Sequence, residues 1–361
     1  FTCFALSVLW IRYEMTYDTF HEGADRIYMV RAHYTDSPGS ISNSTPYPLS
    51  SYLQEKMPEI EAAASTSIYR EMKFRMGDNE HEVVMAAADS VFMNFFNIQL
   101  LKGTVNFLKE NDPEIAITEE FARKLFGNEE DALGKEVELN GRSRKIGAIV
   151  SGWSRHSNIP YSVLVSARHY PRWGSKGEQL FVRVRAGVDR DTFQKKIDSI
   201  DLLNIPKESE LSKLLITPVS ALRYSDYVSK VDVVISFSYI FYFSLVIICS
   251  LFNYLTLYIS RLCMRSREMA LRKVNGASNA SLSVQFGIEL FLILCIALLC
   301  GLLMIELSMS RFLNFTQIEA GSYYGEIMVY LLVVIILSFL FAQIPLSYFR
   351  RRTLQEAIKG K

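Results

Sequence analysis

The residues able to do chemistry are few, and most are poorly spaced for it. The five histidines are His21, His33, His81, His156 and His169. No two of them stand three or four residues apart, the spacing that sets two metal ligands on one helical face. Glu80-His81-Glu82 gives a partial echo of the zinc-protease pattern, but the second histidine is missing. Glu14, Asp18, His21, Glu22 and Asp25 lie close together and could offer oxygen ligands to a hard cation. The plainer reading is a polar segment that caps and orients the chain as it leaves its first apolar stretch, because no defined ion loop is present there. There is no G-x-x-x-x-G-K-[ST] phosphate loop and no G-x-S-x-G elbow. The sequence therefore shows no ATP site of its own and no catalytic set, and a non-catalytic chain with no metal and no cofactor is expected.

Two charged features remain. Glu289 stands inside an otherwise uncharged stretch. A carboxylate in a membrane helix is a functional candidate, because burying it costs a few kcal/mol; the alternative is a place near a membrane face, paired with a loop arginine. The second feature is the basic run from Arg265 to Ser278 (RSREMALRKVNGAS). Met269 and Val274 can share a helical face, Arg265, Arg267, Glu268, Arg272 and Lys273 supply charge, and Gly276 ends or bends the helix. Such a segment suits a membrane surface or a protein partner, or serves only to set topology.

The elements that must position these residues fall into two populations. The chain has 361 residues and a net charge of +1, which argues against nucleic acid as a partner. From Arg12 to Asp232 it is mixed and charged; afterwards it is mostly apolar. Residues 233–260 and 327–349 carry no charge, and 282–305 carries only Glu289. Spanning a bilayer takes roughly 20 apolar residues, so three membrane helices are expected here. Residues 1–11 are apolar but too short to span, with neither a basic start nor a small-residue cleavage site. They read as the C-terminal part of a first membrane helix, and the chain as part of a longer protein. Lys and Arg concentrate in residues 261–281 and in the tail after Phe349, while the loop between them holds only Arg311. The positive-inside rule places the basic loop and tail in the cytosol and the domain of residues 12–230 outside. Trp10, Tyr13 and Tyr17 suit the outer interface. All five cysteines lie in or beside the apolar segments, so the external domain has no disulfide framework.

Within that domain, helices are expected over Tyr47–Glu55 with Lys56, Met57 and Pro58 ending it, over Glu119–Phe126 with Thr118 as cap and Gly127 as stop, and over Arg190–Ile200. Lys135–Leu139 and Arg142–Val150 flank Asn140-Gly141, a strong hairpin signal. Leu180–Arg185 and Leu214–Val219 read as strands. Mixed helices and strands suggest a large α+β fold of two lobes.

The segment Ser266 to Ser278 closely resembles the cytosolic loop of FtsX-like and MacB-type ABC transporter permeases, on Arg265, Glu268, Met269, Leu271, Arg272, Lys273, Gly276, Ala277 and Ser278. Asn275 stands where many relatives carry Leu or Met. Tyr13-Glu14, Tyr17-Asp18-x-Phe20-His21 and Ala24-Asp25-Arg26-Ile27-Tyr28 resemble the start of that family's MacB-like periplasmic core domain. So do Ala88-Asp89-Ser90-x-Phe92 with Phe95-Phe96, Leu100-Leu101-Lys102-Gly103, and Ile117-Thr118 through Leu139-Asn140-Gly141. Leu354, Ala357 and Ile358 fit the closing segment.

The resemblance implies a four-helix transmembrane bundle, its first helix truncated, with a permease domain over 231–361. It implies a permease subunit in a bacterial inner membrane that couples ATP hydrolysis in a separate ATPase to movement of the periplasmic domain, for export or extraction of a peptide, drug or lipoprotein. Arg265, Arg267, Glu268, Arg272, Lys273 and Gly276 would then form the ATPase-docking segment. The implied partners are an ABC ATPase, membrane lipid, a second permease cassette (as a dimer or a tandem half) and a periplasmic adaptor. The alternative function is regulatory: control of a cell-wall hydrolase, or sensing of peptides.

Overall fold

The computed structural model describes residues 2–110, 112–153, 156–200, 202–225, 230–265, 268, 271–272, 274–316 and 324–351. The chain divides into two units, Thr16–Val233 and Phe1–Met15 with Val234–Lys361.

In the first unit, strand β1 (Ile27–Tyr34) is buried on both faces. Tyr28, Val30, Ala32 and Tyr34 point to one core, shared with Leu49 and Leu53 of α2 (Pro48–Lys56) and with Phe193 and Ile197 of α5 (Arg190–Asp198). Ile27 and Met29 point to a second core, with Phe92 and Phe96. Its first four residues, Ile27 to Val30, are a continuous apolar run that shows no alternation, and Arg31 and His33 follow on the face of Ile27 and Met29. It pairs antiparallel with β10 (Gln179–Val184) on one side and β11 (Leu211–Pro218) on the other, and β2 (Ile60–Thr66) adds to β10. The resulting four-stranded sheet has the order β11-β1-β10-β2.

Only Ser67 separates β2 from β3 (Ile68–Met76), which carries the chain into a second sheet. That sheet adds β4 (Asn79–Ala88), β5 (Leu100–Gly103), β6 (Glu114–Thr118), β7 (Glu136–Leu139), β8 (Arg142–Val150) and β9 (Val163–Ser166), in the order β5-β8-β6-β9-β4-β3-β7. Because β7 also pairs with β8, six strands close on one another and β5 hangs on β8. Closure gives each of those six strands a partner on both sides, though β3 meets β7 only at Phe74 and Arg75. Phe74, Ile115, Ile117, Ile146 and Val163 fill one face of this sheet. Asn140 and Gly141 take φ of 50° and 79° between β7 and β8, the left-handed pair that a two-residue hairpin requires.

Helix α3 (Ser90–Phe95) starts where Asp89 accepts the Phe92 N–H at 2.7 Å. Helix α4 (Glu119–Phe126) starts where the Thr118 hydroxyl accepts the Phe121 N–H, and it ends at Gly127 with φ 76°. Both starts are side-chain caps that satisfy otherwise orphaned amides.

The second unit holds α1 (Thr2–Met15), α6 (Lys230–Met264), α7 (Asn279–Thr316) and α8 (Tyr324–Arg351). Each long helix outruns its uncharged stretch, since backbone hydrogen bonding continues through the polar flanks that end a hydropathy signal. Likewise α1 continues past residue 11, and Arg12 pairs with Glu326 of α8. Among the described residues, two helices contain a stretch long and apolar enough to cross a bilayer, Ser244–Arg261 and Gly287–Asn314; in α8 the apolar stretch is the shorter Gly325–Leu340. Ala5, Ile305, Met309, Ile327 and Leu331 form a small interior, while Phe241, Phe252, Ile296, Leu299, Leu303 and Leu307 are each more than half exposed. A row of large apolar side chains facing outward fits hydrocarbon and not water.

Gly103 is the tightest backbone approach in the first unit. Its φ is +88°, and a Cβ there would sit 2.2 Å from the Gly147 carbonyl oxygen. Gly103→Ala is expected to cost about 3 kcal/mol or more, combining strain with a clash against backbone that cannot swing aside. Thermal unfolding followed by circular dichroism checks this; an unchanged Tm would mean that β5 does not need to approach β8 this closely.

Candidate functional site

The basic segment is a helix end, a turn and a helix start. Glu268, Leu271, Arg272 and Val274 are helical. The Asn275 N–H donates to the Leu271 carbonyl at 3.1 Å, and the Ala277 N–H reaches back five residues to the Arg272 carbonyl at 2.9 Å. Gly276 stands between them with φ 87° and open space around it. This is the left-handed cap that favours glycine. Two residues later the Ser278 hydroxyl accepts the Ser281 N–H at 3.1 Å and opens α7.

Two arginines tie this segment to α7. Arg272 holds Glu268 at 2.6 Å, one turn back on its own helix, and also donates to Gln285 of α7. Arg265 holds Glu289 of α7 at 2.5 Å. Gln285 and Glu289 are four residues apart, so they lie on one face of α7. Glu289 is thus placed as the partner of a segment arginine. Gln285 was not singled out from the sequence; its signal was the i, i+4 spacing to Glu289. All these side chains are part exposed, so each pair is worth little on its own; their value is geometric, since planar guanidinium groups fix orientation. Met264, Leu271 and Val274 are exposed on the same segment. Arg267 and Lys273 lie outside the described residues.

The other sequence candidates do not converge. Glu80, His81 and Glu82 alternate along β4, with Glu80 engaged by Lys73 and Arg75. In the acidic group Asp18 and His21 are buried while Glu22 and Asp25 are exposed. Among the described residues no set of His, Cys, Asp and Glu is arranged to hold a metal ion.

One electrostatic centre was missed. His169 lies between two carboxylates: Nε2 is 3.1 Å from Asp89 Oδ2 and Nδ1 is 3.0 Å from Glu178 Oε2. Its ring stacks on Tyr47 at 4.1 Å. It borders a cleft of about 430 Å³ lined also by Tyr69, Arg142, Arg144 and Arg168. Burial disfavours the imidazolium, but hydrogen bonds to Asp89 and Glu178 and their negative charge outweigh it and push the pKa up to about 9. For Asp89, burial works against the carboxylate, and the hydrogen bonds from His169 and the Phe92 N–H still hold its pKa below the usual value. Both ring nitrogens donate, so a charged histidine ties the start of α3 to the segment leading into β10.

An α+β domain joined to long apolar helices, one pair of which is linked through a capped basic turn, defines a membrane permease with an extracytoplasmic domain. The family model described as MacB-like periplasmic core domain matches residues 1–200, and the one described as FtsX-like permease C-terminal matches residues 237–354. The chain belongs to the MacB/FtsX-like permease family and is a permease component of an ABC transporter, the kind of subunit that works with an ABC ATPase.

Similar solved structures include a domain of a permease protein from Porphyromonas gingivalis, 24% identical, TM-score 0.45, covering 57% of this chain and 99% of that one. The extracellular domain of the noncanonic ABC-type transporter YknZ from Gram-positive bacteria is 13% identical, TM-score 0.39, covering 53% and 99%. The periplasmic region of MacB from Actinobacillus actinomycetemcomitans is 12% identical, TM-score 0.39, covering 56% and 92%. No curated protein sequence matches the chain.

The His169 cluster sets a pH dependence. A histidine whose folded pKa is about 9, above its ordinary 6.5, adds stability that is complete below pH 6.5 and is lost as the pH rises through 9. Thermal unfolding between pH 6 and pH 10, compared between wild type and His169→Gln, should show a loss on the order of 2 kcal/mol in wild type alone. Parallel curves for the two proteins would remove the charged histidine from the account.

Proposed function

We propose that this permease works by mechanotransmission: an ATPase docks on the Arg265–Ser278 segment, and its closure moves the helices and, through them, the external domain. The carrying observation is the pair of ties from Arg272 to Gln285 and from Arg265 to Glu289. A push on the turn is delivered to α7 at two points one helical turn apart, as well as to α6, from which Arg265 directly follows. Exposed Met264, Leu271 and Val274, set among charges, are the apolar contacts that a protein partner would cover.

In this reading α1, α6, α7 and α8 all cross the membrane. The basic turn and the arginines at 350–352 face the cytosol, and the domain between α1 and α6 works in the periplasm. The chain itself is non-catalytic; ATP is bound by the partner. Two cassettes operate together, as a dimer or a tandem pair, with an adaptor on the periplasmic side. The work is export or extraction of a peptide, drug or lipoprotein.

Reversing charge with Arg272→Glu and Lys273→Glu should weaken ATPase docking at least about tenfold, as loss of interfacial charge pairs does. Co-purification of the ATPase and its stimulated hydrolysis rate report this, with circular dichroism showing an intact external domain. Stimulation that survives the double change refutes the docking assignment.

A further inference from the structure

Asp18 is fully buried although it stands only three residues beyond the end of α1 at Met15. Its φ of 57° lies in the left-handed region, uncommon for a residue with a side chain. Its surroundings account for that conformation. The Asp18 N–H donates to the His156 carbonyl at 3.2 Å. Its carboxylate accepts from the Ser157 hydroxyl, from the Asn158 N–H at 2.9 Å and from the Asn158 side-chain amide at 2.6 Å. The Ser157 oxygen in turn accepts the Ile159 N–H at 3.0 Å. One side chain, 140 residues away in sequence from its partner Asn158, thus organises the loop of residues 156–159.

The neighbours tighten the same knot. Tyr17 meets the His156 ring edge-on at 4.2 Å. His21 lies 3.5 Å from the Asp18 carboxylate and 4.8 Å from the Trp153 ring, and the Trp153 indole N–H donates to the Ile159 carbonyl at 2.9 Å. The chain leaving the domain is fastened here too. Val219 and Leu222 are buried in the core that holds Ala24 and Phe96, and the Arg223 guanidinium lies 4.5 Å over the Tyr17 ring. Helix α6 begins at Lys230, a few residues on.

We infer that Asp18 is a positioning residue for force transfer. It clamps the chain coming from α1 to loop 156–159, and through Tyr17 and Arg223 it ties the incoming chain to the outgoing one. A slack linker behaves as a coil and absorbs a displacement; a buried carboxylate with its donors satisfied gives way only at the cost of unpaired buried groups. Movement of either helix is therefore passed to the whole domain. The inference rests on the mechanotransmission reading.

The residue type follows from the chemistry. A carboxylate only accepts, and the Ser157 hydroxyl, the Asn158 N–H and the Asn158 side-chain amide donate to it; asparagine could keep its oxygen toward Asn158 but would lose the charge and place an N–H donor where the Ser157 hydroxyl now donates.

The test is Asp18→Asn in the full permease co-purified with its ATPase, in a cysteine-free background, with spin labels at Lys207→Cys and Ser260→Cys. Wild type should change its label-to-label distance with ATP and orthovanadate. In Asp18→Asn that change should vanish while ATPase stimulation stays. Amides of residues 16–22 and 156–159 should exchange about tenfold faster or more, the factor that loss of one buried hydrogen bond supplies. Amides of β1 and β10 should exchange as in wild type. Unchanged exchange in the two segments overturns the inference, and so does a distance change that persists. If Asp18→Asn does not fold, Ser157→Ala, which removes one donor and leaves the Asn158 bonds, is read the same way. A wild-type protein with no ATP-driven change removes mechanotransmission itself, and the inference with it.

Discussion

Strand β1 is buried on both faces and hydrogen-bonded along both edges, to β10 and to β11. This arrangement removes the apolar side chains of IYMVRAHY from water while satisfying its backbone amides. Much of the external domain is arranged around it. Helices α2 and α5 cover one face, while α3 and the segment from Val219 to Leu222 contribute to the core on the other. That second core is also where the chain comes in from α1 and leaves towards α6, so the strand that holds the domain together lies beside the residues that receive both connections.

Most ion pairs of the external domain are exposed, but two groups are enclosed: His169 between Asp89 and Glu178, and Asp18 among hydrogen-bond donors. Enclosed groups of this kind resist rearrangement because breaking them strands a charge or a donor. In the helical unit Arg265 and Arg272 are part exposed and bridge to α7. Such part-exposed pairs cost little to break.

Much was legible from local signals. Thr118 and Gly127 bound α4, and Asn140-Gly141 marked the β7–β8 turn, because caps and tight turns depend on residues two to four apart. The long helices were legible because lipid-facing segments exclude charge. Their ends were not, since helical hydrogen bonding runs on into polar flanks. β1 went unread because its apolar start, Ile27 to Val30, lacks the alternation that marks a half-exposed strand, and only Arg31 and His33 supply it. β6 and β9 went unread because they are only five and four residues long. Gly276 was legible as a helix end, while Gln285, which Arg272 reaches across the turn, was not.

The sequence by itself determined the membrane character of the chain, the mixed α and β content of its external part, the basic segment and the absence of a phosphate loop. Each of these is written in composition or in spacing along a few turns of chain. Only the tertiary structure decided that Asp18 is buried among the donors of Ser157 and Asn158, that His169 lies between two carboxylates, and that Glu289 pairs with Arg265. Those facts depend on partners 139 or 140, 80 and 24 residues away. Hydrogen bonds and charge interactions act over a few ångströms, and which distant residues come within that range is set by packing alone.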